Sequence, residues 1–130
     1  MAMNKAEQRS IIEKYVEAYN SFDTSAMLND LHEQVVFQNI SGGEVNLKTK
    51  GKAAFREQAE AAKNYFSERQ QTITHWEYVS SDLVRIGITY RGVLAGDLPS
   101  GMKAGETLEL TGSSEFRFRG QQIIGIVDES

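Results

Sequence analysis

Five polar side chains stand where this sequence could do chemistry: Tyr15, Tyr19, Asn39, Ser114 and Asp128. Tyr15 and Tyr19 are four residues apart, a spacing that puts both phenols on one face of a helix. Each hydroxyl is either a core group that finds a partner or a donor at a pocket floor. Asn39 alternates with Val35 and Phe37, so its amide shares their apolar face. An amide there must be hydrogen-bonded or it is costly, unless it only caps a strand end beside the Ser41-Gly42-Gly43 turn. Asp128 is the one carboxylate that alternation aligns with Ile124 and Ile126. Facing a pocket, it would be held protonated to higher pH by desolvation and become the acid–base candidate. At a solvated strand end it would do nothing. Both readings stay open at the level of sequence.

Other chemistries lack their parts. The chain has no cysteine, hence no thiolate nucleophile, disulfide framework or zinc–thiolate site. His32 and His75 have no acidic cluster beside them, so no metal site is expected. His32 reads most simply as a helix-end residue near the terminal carbonyls. No Ser-His-Asp order, glycine-rich phosphate loop or deaminase signature is present, and no cofactor is expected.

The elements that must position these groups follow from periodicity. Ile11, Ile12, Tyr15, Val16 and Tyr19 form one apolar stripe over a helix from Lys5 to Asn20. Asp23 or Thr24 can cap a short second helix whose buried edge is Met27, Leu28 and Leu31. His32 and Glu33 lead into a strand from Val35 to Ile40, and Val45 to Lys50 reads as a short edge strand. Gly51 opens a third helix, Lys52 to Phe66, with Phe55, Gln58 or Ala59, Ala62 and Phe66 inward and Arg56 paired with Glu60 outside. Thr72 to Val79 is a strand, but alternation leaves its inward face open between Thr74 with Trp76 and Ile73 with His75. In Leu83 to Leu94, Val84, Ile86, Ile88 and Tyr90 face one way while Arg85, Thr89 and Arg91 face the other. Ala95 to Gly105 holds the only proline and reads as a hairpin loop.

The last hairpin is the most regular. Leu108, Leu110, Gly112, Ser114, Phe116 and Phe118 fall on one face, with Glu109, Thr111, Ser113, Glu115, Arg117 and Arg119 on the other. After the turn at Gly120, the run Ile123 to Val127 is apolar throughout and is expected to be covered on both faces. Helices first and a meander last predict an α+β fold with helices on one side of a mostly antiparallel sheet.

Composition sets outer bounds. The 130 residues are expected to form a single domain, burying roughly two-thirds of the surface its unfolded chain would expose. A net charge of −4 argues against nucleic acid or an anionic membrane surface as partner. Lys5, Glu7, Arg9 and Glu13 occupy the place where a signal peptide needs an apolar core, so a cytoplasmic location is expected. No apolar run approaches the roughly 20 residues of a membrane span.

Three stretches in this order carry a family resemblance. They are Tyr15-Val-Glu-Ala-Tyr19-Asn-Ser-Phe-Asp23 running to Val35-Val-Phe-Gln-Asn39, then Lys50-Gly51-Lys-Ala-Ala-Phe55, and then Gly92 to Pro99 followed by Phe116-Arg-Phe-Arg-Gly120 and the final strand. The chain resembles the nuclear transport factor 2-like superfamily, whose branches include SnoaL-like polyketide cyclases and ketosteroid isomerase. The resemblance implies a strongly curved sheet wrapped into a cone around the N-terminal helices, a cystatin-like roll with an apolar pocket inside. It also implies a homodimer packed through the outer sheet face, where Arg85, Arg91, Arg117, Glu115 and Thr111 would lie. Those outward arginines disfavour an epoxide-hydrolase-like arrangement with an arginine between two acids. Against the isomerase, Tyr15 falls on the oxyanion tyrosine, Asn39 on the carboxylate base and Ser114 on the neutral acid. An amide cannot abstract a carbon-bound proton near neutral pH, so the isomerase reaction itself is not expected.

The leading expectation is a SnoaL-like domain that binds a small apolar or amphipathic molecule. Tyr15, Tyr19, Phe37, Asn39 and Phe55 would line the pocket from the first half of the chain, and Ile88, Tyr90, Ser114 and Phe116 from the second. The alternative is a cyclase- or isomerase-type enzyme using Asp128 for proton transfer and Tyr15 or Asn39 to polarise a carbonyl. A second alternative is a protein-interaction module acting through the outer sheet face.

Overall fold

The structure, a computed structural model, describes residues 3–130. Helix α1 (Lys5–Asn20) begins at a capping box: Glu7 N donates to Asn4 Oδ1 at 2.8 Å and Asn4 N to Glu7 Oε1 at 3.3 Å. Its stripe buries Ile12, Tyr15 and Val16. Phe22, at φ 58°, turns the chain into α2 (Thr24–Leu28), which Asp23 caps by accepting from Ala26 N at 3.0 Å. The chain continues as β1 (Leu31–Ser41), β2 (Glu44–Lys50), α3 (Lys52–Lys63), β3 (Phe66–Tyr78), β4 (Leu83–Leu94), β5 (Thr107–Arg119) and β6 (Gln122–Glu129).

The strands form one mixed, open sheet in the order β2-β1-β6-β5-β4-β3. All neighbours are antiparallel except β1 and β6, which run parallel because the chain crosses from one to the other through the rest of the fold. The α+β cone expected above is the fold observed: α1 packs on β3 at one edge while α3 packs on β1 and β2 at the other. Between helices and sheet sit Phe55, Phe116, Ile12, Ile86, Ile123 and Ile126, essentially without solvent contact. Burying each such side chain is worth about 1.5–3 kcal/mol. The outer face carries ion pairs instead: Arg85 bridges Glu77 at 3.2 Å and Glu115 at 3.1 Å, and Arg117 meets Asp82 at 3.0 Å.

Several expected boundaries move. Strand β1 starts at Leu31, so His32 is no helix-end residue; its Nδ1 accepts from Gln34 N at 3.0 Å. Helix α3 stops at Lys63, short of Phe66, and Glu60 pairs with Lys63 at 2.9 Å rather than with Arg56. Strand β3 therefore begins at Phe66, well before Thr72. Its inward face is neither alternative left open. A bulge between Ile73 and His75 changes the parity, so Ile73 and Trp76 both pack against the core. Gly87 lies opposite that bulge, and a Cβ there would come within 3.0 Å of Thr74 Oγ1. A second irregularity, opposite Arg117 and Phe118, skips Ile124, so Ile123 rather than Ile124 is buried with Ile126.

Candidate functional site

Register brings the polar residues together. Asp128 on central strand β6 pairs with Ser114 on β5 and with Asn39 on β1, a single row across three strands. Residues paired in this way share a sheet face, here the one the helices cover. Ser114, 2% exposed, donates its hydroxyl to Asp128 Oδ1 at 2.6 Å. Burial raises the Asp128 pKa from 3.8 to about 6, and the Ser114 bond holds it from rising further. Asn39 spends one amide hydrogen on Asn46 Oδ1 of β2, at 2.9 Å, which fixes its orientation.

Above this row is a cavity of about 320 Å³, with Tyr15 and Tyr19 of α1, Phe37 and Asn39 of β1, and Asp128 among its lining residues. Tyr15 is buried, and its phenol makes no hydrogen bond among the described residues. Desolvation, with the Asp128 charge adding to it, raises the Tyr15 pKa well above its ordinary value, so the hydroxyl stays a neutral donor. Its ring is held edge-on to Phe116, centroids 5.5 Å apart, and tilted against Phe55 at 6.4 Å. Tyr19 donates to the Tyr90 hydroxyl at 3.3 Å, and burial raises both phenols' pKa values too.

Not every candidate reaches the cavity. Phe55, Ile88 and Phe116 lie in the core beneath it, and Ser114 touches it only through Asp128. Tyr90 borders a smaller adjoining recess of about 140 Å³ that shares Tyr19, Asn39 and Asp128. Sequence reasoning overlooked Arg69, Gln71 and Phe66, which line the main cavity from β3. Extending the alternation of β3 back through Gln71 and Arg69 was the available signal, hidden by running α3 on to Phe66. Among the described residues, no group of three or more His, Cys, Asp or Glu side chains is placed to hold a metal ion. No described helix is long and apolar enough to cross a membrane.

The row and cavity hold a carboxyl with a raised pKa (Asp128), a neutral phenolic donor (Tyr15) and an oriented amide (Asn39). A family model for the SnoaL-like domain matches residues 12–126, which takes in all three except Asp128, two residues beyond its end. No functionally curated protein matches the chain. Among solved structures, two relatives are named as putative enzymes. One is a polyketide cyclase of Xanthomonas campestris pv. campestris, with TM-score 0.80 and 23% identity over 98% of this chain and 93% of the other. The second is the hydroxylase AclR of Streptomyces galilaeus, with TM-score 0.76 and 18% identity over 96% and 89%. An uncharacterised cystatin-fold protein of Novosphingobium aromaticivorans aligns at TM-score 0.69 and 16% identity over 92% and 94%. At these identities the likeness is one of fold.

Proposed function

The chain belongs to the SnoaL-like domain family of the nuclear transport factor 2-like superfamily, and from that premise we propose that its cavity binds a small carbonyl compound on which Asp128 moves a proton. One observation carries the reading: a carboxylate held near pKa 6 lines the same cavity as an unengaged, neutral phenol. Near neutral pH such a carboxylate is ionised yet more basic than an ordinary aspartate, which suits a general base.

In the proposed step, Asp128 Oδ takes a proton from the carbon next to the substrate carbonyl. The C–H electron pair becomes the enolate double bond, and the carbonyl pair moves to oxygen. Tyr15 donates a hydrogen bond to that oxyanion, the stabilisation that matters most for such charge. Asn39, already oriented by Asn46, offers its remaining amide hydrogen. The protonated Asp128 then returns the proton to the same framework after rearrangement or ring closure, so the cycle balances. Asp128 stands between the two positions, Asn39 and Ser114, where ketosteroid isomerase keeps its acids, and one carboxyl takes over where two are missing.

The naming of a fold relative as a polyketide cyclase accords with a cyclase-type reaction. An interaction module would fit an occluded cavity better than an open one. Homodimerisation through the outer face of β3, β4 and β5 belongs to the proposal too, supported by the open groove there that Thr89, Arg91 and Thr111 help to line. A cytoplasmic location is part of the same reading.

The test is α-proton exchange into D2O on a panel of small cyclic and aromatic ketones, followed by NMR. Catalysed exchange should rise with pH through about 6, vanish in Asp128→Asn and fall about 10–100-fold in Tyr15→Phe. Exchange by Asp128→Asn at the wild-type rate would overturn the assignment.

A further inference from the structure

Arg69 is a cation the proposed proton transfer does not use. It is 6% exposed, lies on β3 and lines the cavity. Its β4 neighbour in register is Gly92. Nε donates to the Tyr19 carbonyl at 2.9 Å, and the guanidinium stacks over the Tyr19 ring at 3.7 Å and the Phe22 ring at 4.5 Å. No basic residue stands in the last turn of α1, so this contact also complements that helix terminus.

These contacts leave the guanidinium without an anionic counterpart. Its Nε meets the Tyr19 carbonyl and its charge also acts on the Tyr19 side chain, but among the described residues no carboxylate lies in ion-pair reach. Asp128 lines the same cavity, but it is not in ion-pair contact with Arg69 and is engaged by Ser114 instead. Anchoring α1 does not require the charge either. Asn20 already clips the helix end to β3, accepting from Gln71 N at 2.7 Å and donating to Gln71 O at 3.1 Å. A permanent charge lining a cavity, in ion-pair contact with no acid among the described residues, is matched when an anion enters.

We infer that the cavity's ligand is an amphipathic carboxylic acid whose carboxylate is received by Arg69. The planar fork pairs with a carboxylate in a bidentate manner that no neutral group reproduces. Phe37, Phe66 and Met27 take the apolar body, and a volume of about 320 Å³ suits a compact molecule of one or two rings. The inference rests on reading the cavity as a ligand site, and adds the class of molecule it takes.

Isothermal titration of the full chain with a panel of aromatic and alicyclic carboxylic acids, each paired with its own primary amide, tests it. At least one acid is expected to bind about tenfold or more tightly than its amide. That preference should shrink in Arg69→Lys, which keeps the charge without the fork, and vanish in Arg69→Gln. If no acid outbinds its amide in the wild type, or if the preference survives Arg69→Gln, the inference is overturned. Should Arg69→Gln not fold, an undiminished preference in Arg69→Lys overturns it equally. Ketone exchange reads Asp128, whereas the acid-over-amide preference reads Arg69. Acid binding without ketone exchange would therefore remove the catalytic proposal alone, and exchange without acid preference would remove this one alone.

Discussion

Replacing Asp128 by asparagine should make the protein more stable at pH 8, although it deletes the residue proposed to do the chemistry. The pKa of the carboxyl rises from 3.8 to about 6 on folding, mainly through burial. That contribution to stability is fully present below pH 3.8 and is lost as pH climbs through 6. Above that, the folded chain carries a charge it would rather not hold. A rise of about two units corresponds to about 3 kcal/mol at most, and the partial exposure of Asp128 reduces this to about 1–2.5 kcal/mol. Asparagine keeps the shape, carries no charge and still accepts from Ser114 Oγ through its own oxygen. For a chain of this size the gain should raise Tm by about 3–10 °C at pH 8. It should shrink towards zero near pH 4, where the wild-type carboxyl is neutral when folded. Paired thermal melts of wild type and Asp128→Asn across pH 4–8 measure the difference directly. A variant no more stable than wild type at pH 8, or a difference that does not change with pH, would refute the reasoning.

Three further perturbations follow from single contacts. Ser114→Ala removes the hydrogen bond that lowers the Asp128 pKa, so the midpoint of the exchange profile should move above 6; a downward move would contradict the bond's role. Gly92→Ala would set a methyl 2.8 Å from the Phe66 ring and 3.1 Å from the Tyr90 hydroxyl. It should cost about 1–3 kcal/mol in denaturant melts. Thr89→Arg should abolish the dimer proposed through the outer face, with no dimer in the wild type speaking against that face, both read by sedimentation.

Much of the fold could be read from local pattern. Helix α1 announces itself through its apolar stripe, and strands β4 and β5 alternate cleanly enough that Ile86, Ser114 and Phe116 fall inward as expected. What failed was parity and extent. A bulge inserts a residue without any marker in side-chain type, so the faces of Ile73 and Trp76 and of Ile123 and Ile126 could not be followed by counting in twos. Apolar periodicity in α3 ran on into Phe66 because an aromatic suits a helix stripe and a strand alike, and that error hid Arg69. The site was partly legible for a related reason. Alternation tells which face a residue occupies but not its depth, so Tyr15, Phe37, Asn39 and Asp128 reach the cavity while Phe55, Ile88 and Phe116 stop in the core below it. The meeting of Asn39, Ser114 and Asp128 in one row depends on the parallel pairing of β1 with β6, a long-range contact no local signal encodes.

The claim on which the rest depends is that Asp128 is a largely desolvated carboxyl poised for proton transfer. Its titration can be followed by 13C NMR of the aspartate side-chain carboxyls, with Asp128→Asn supplying the assignment. A midpoint near 6, moving when Ser114 is replaced, is the expected result. A midpoint at the ordinary 3.8 would mean a solvated strand end, and the proposed chemistry would have no base.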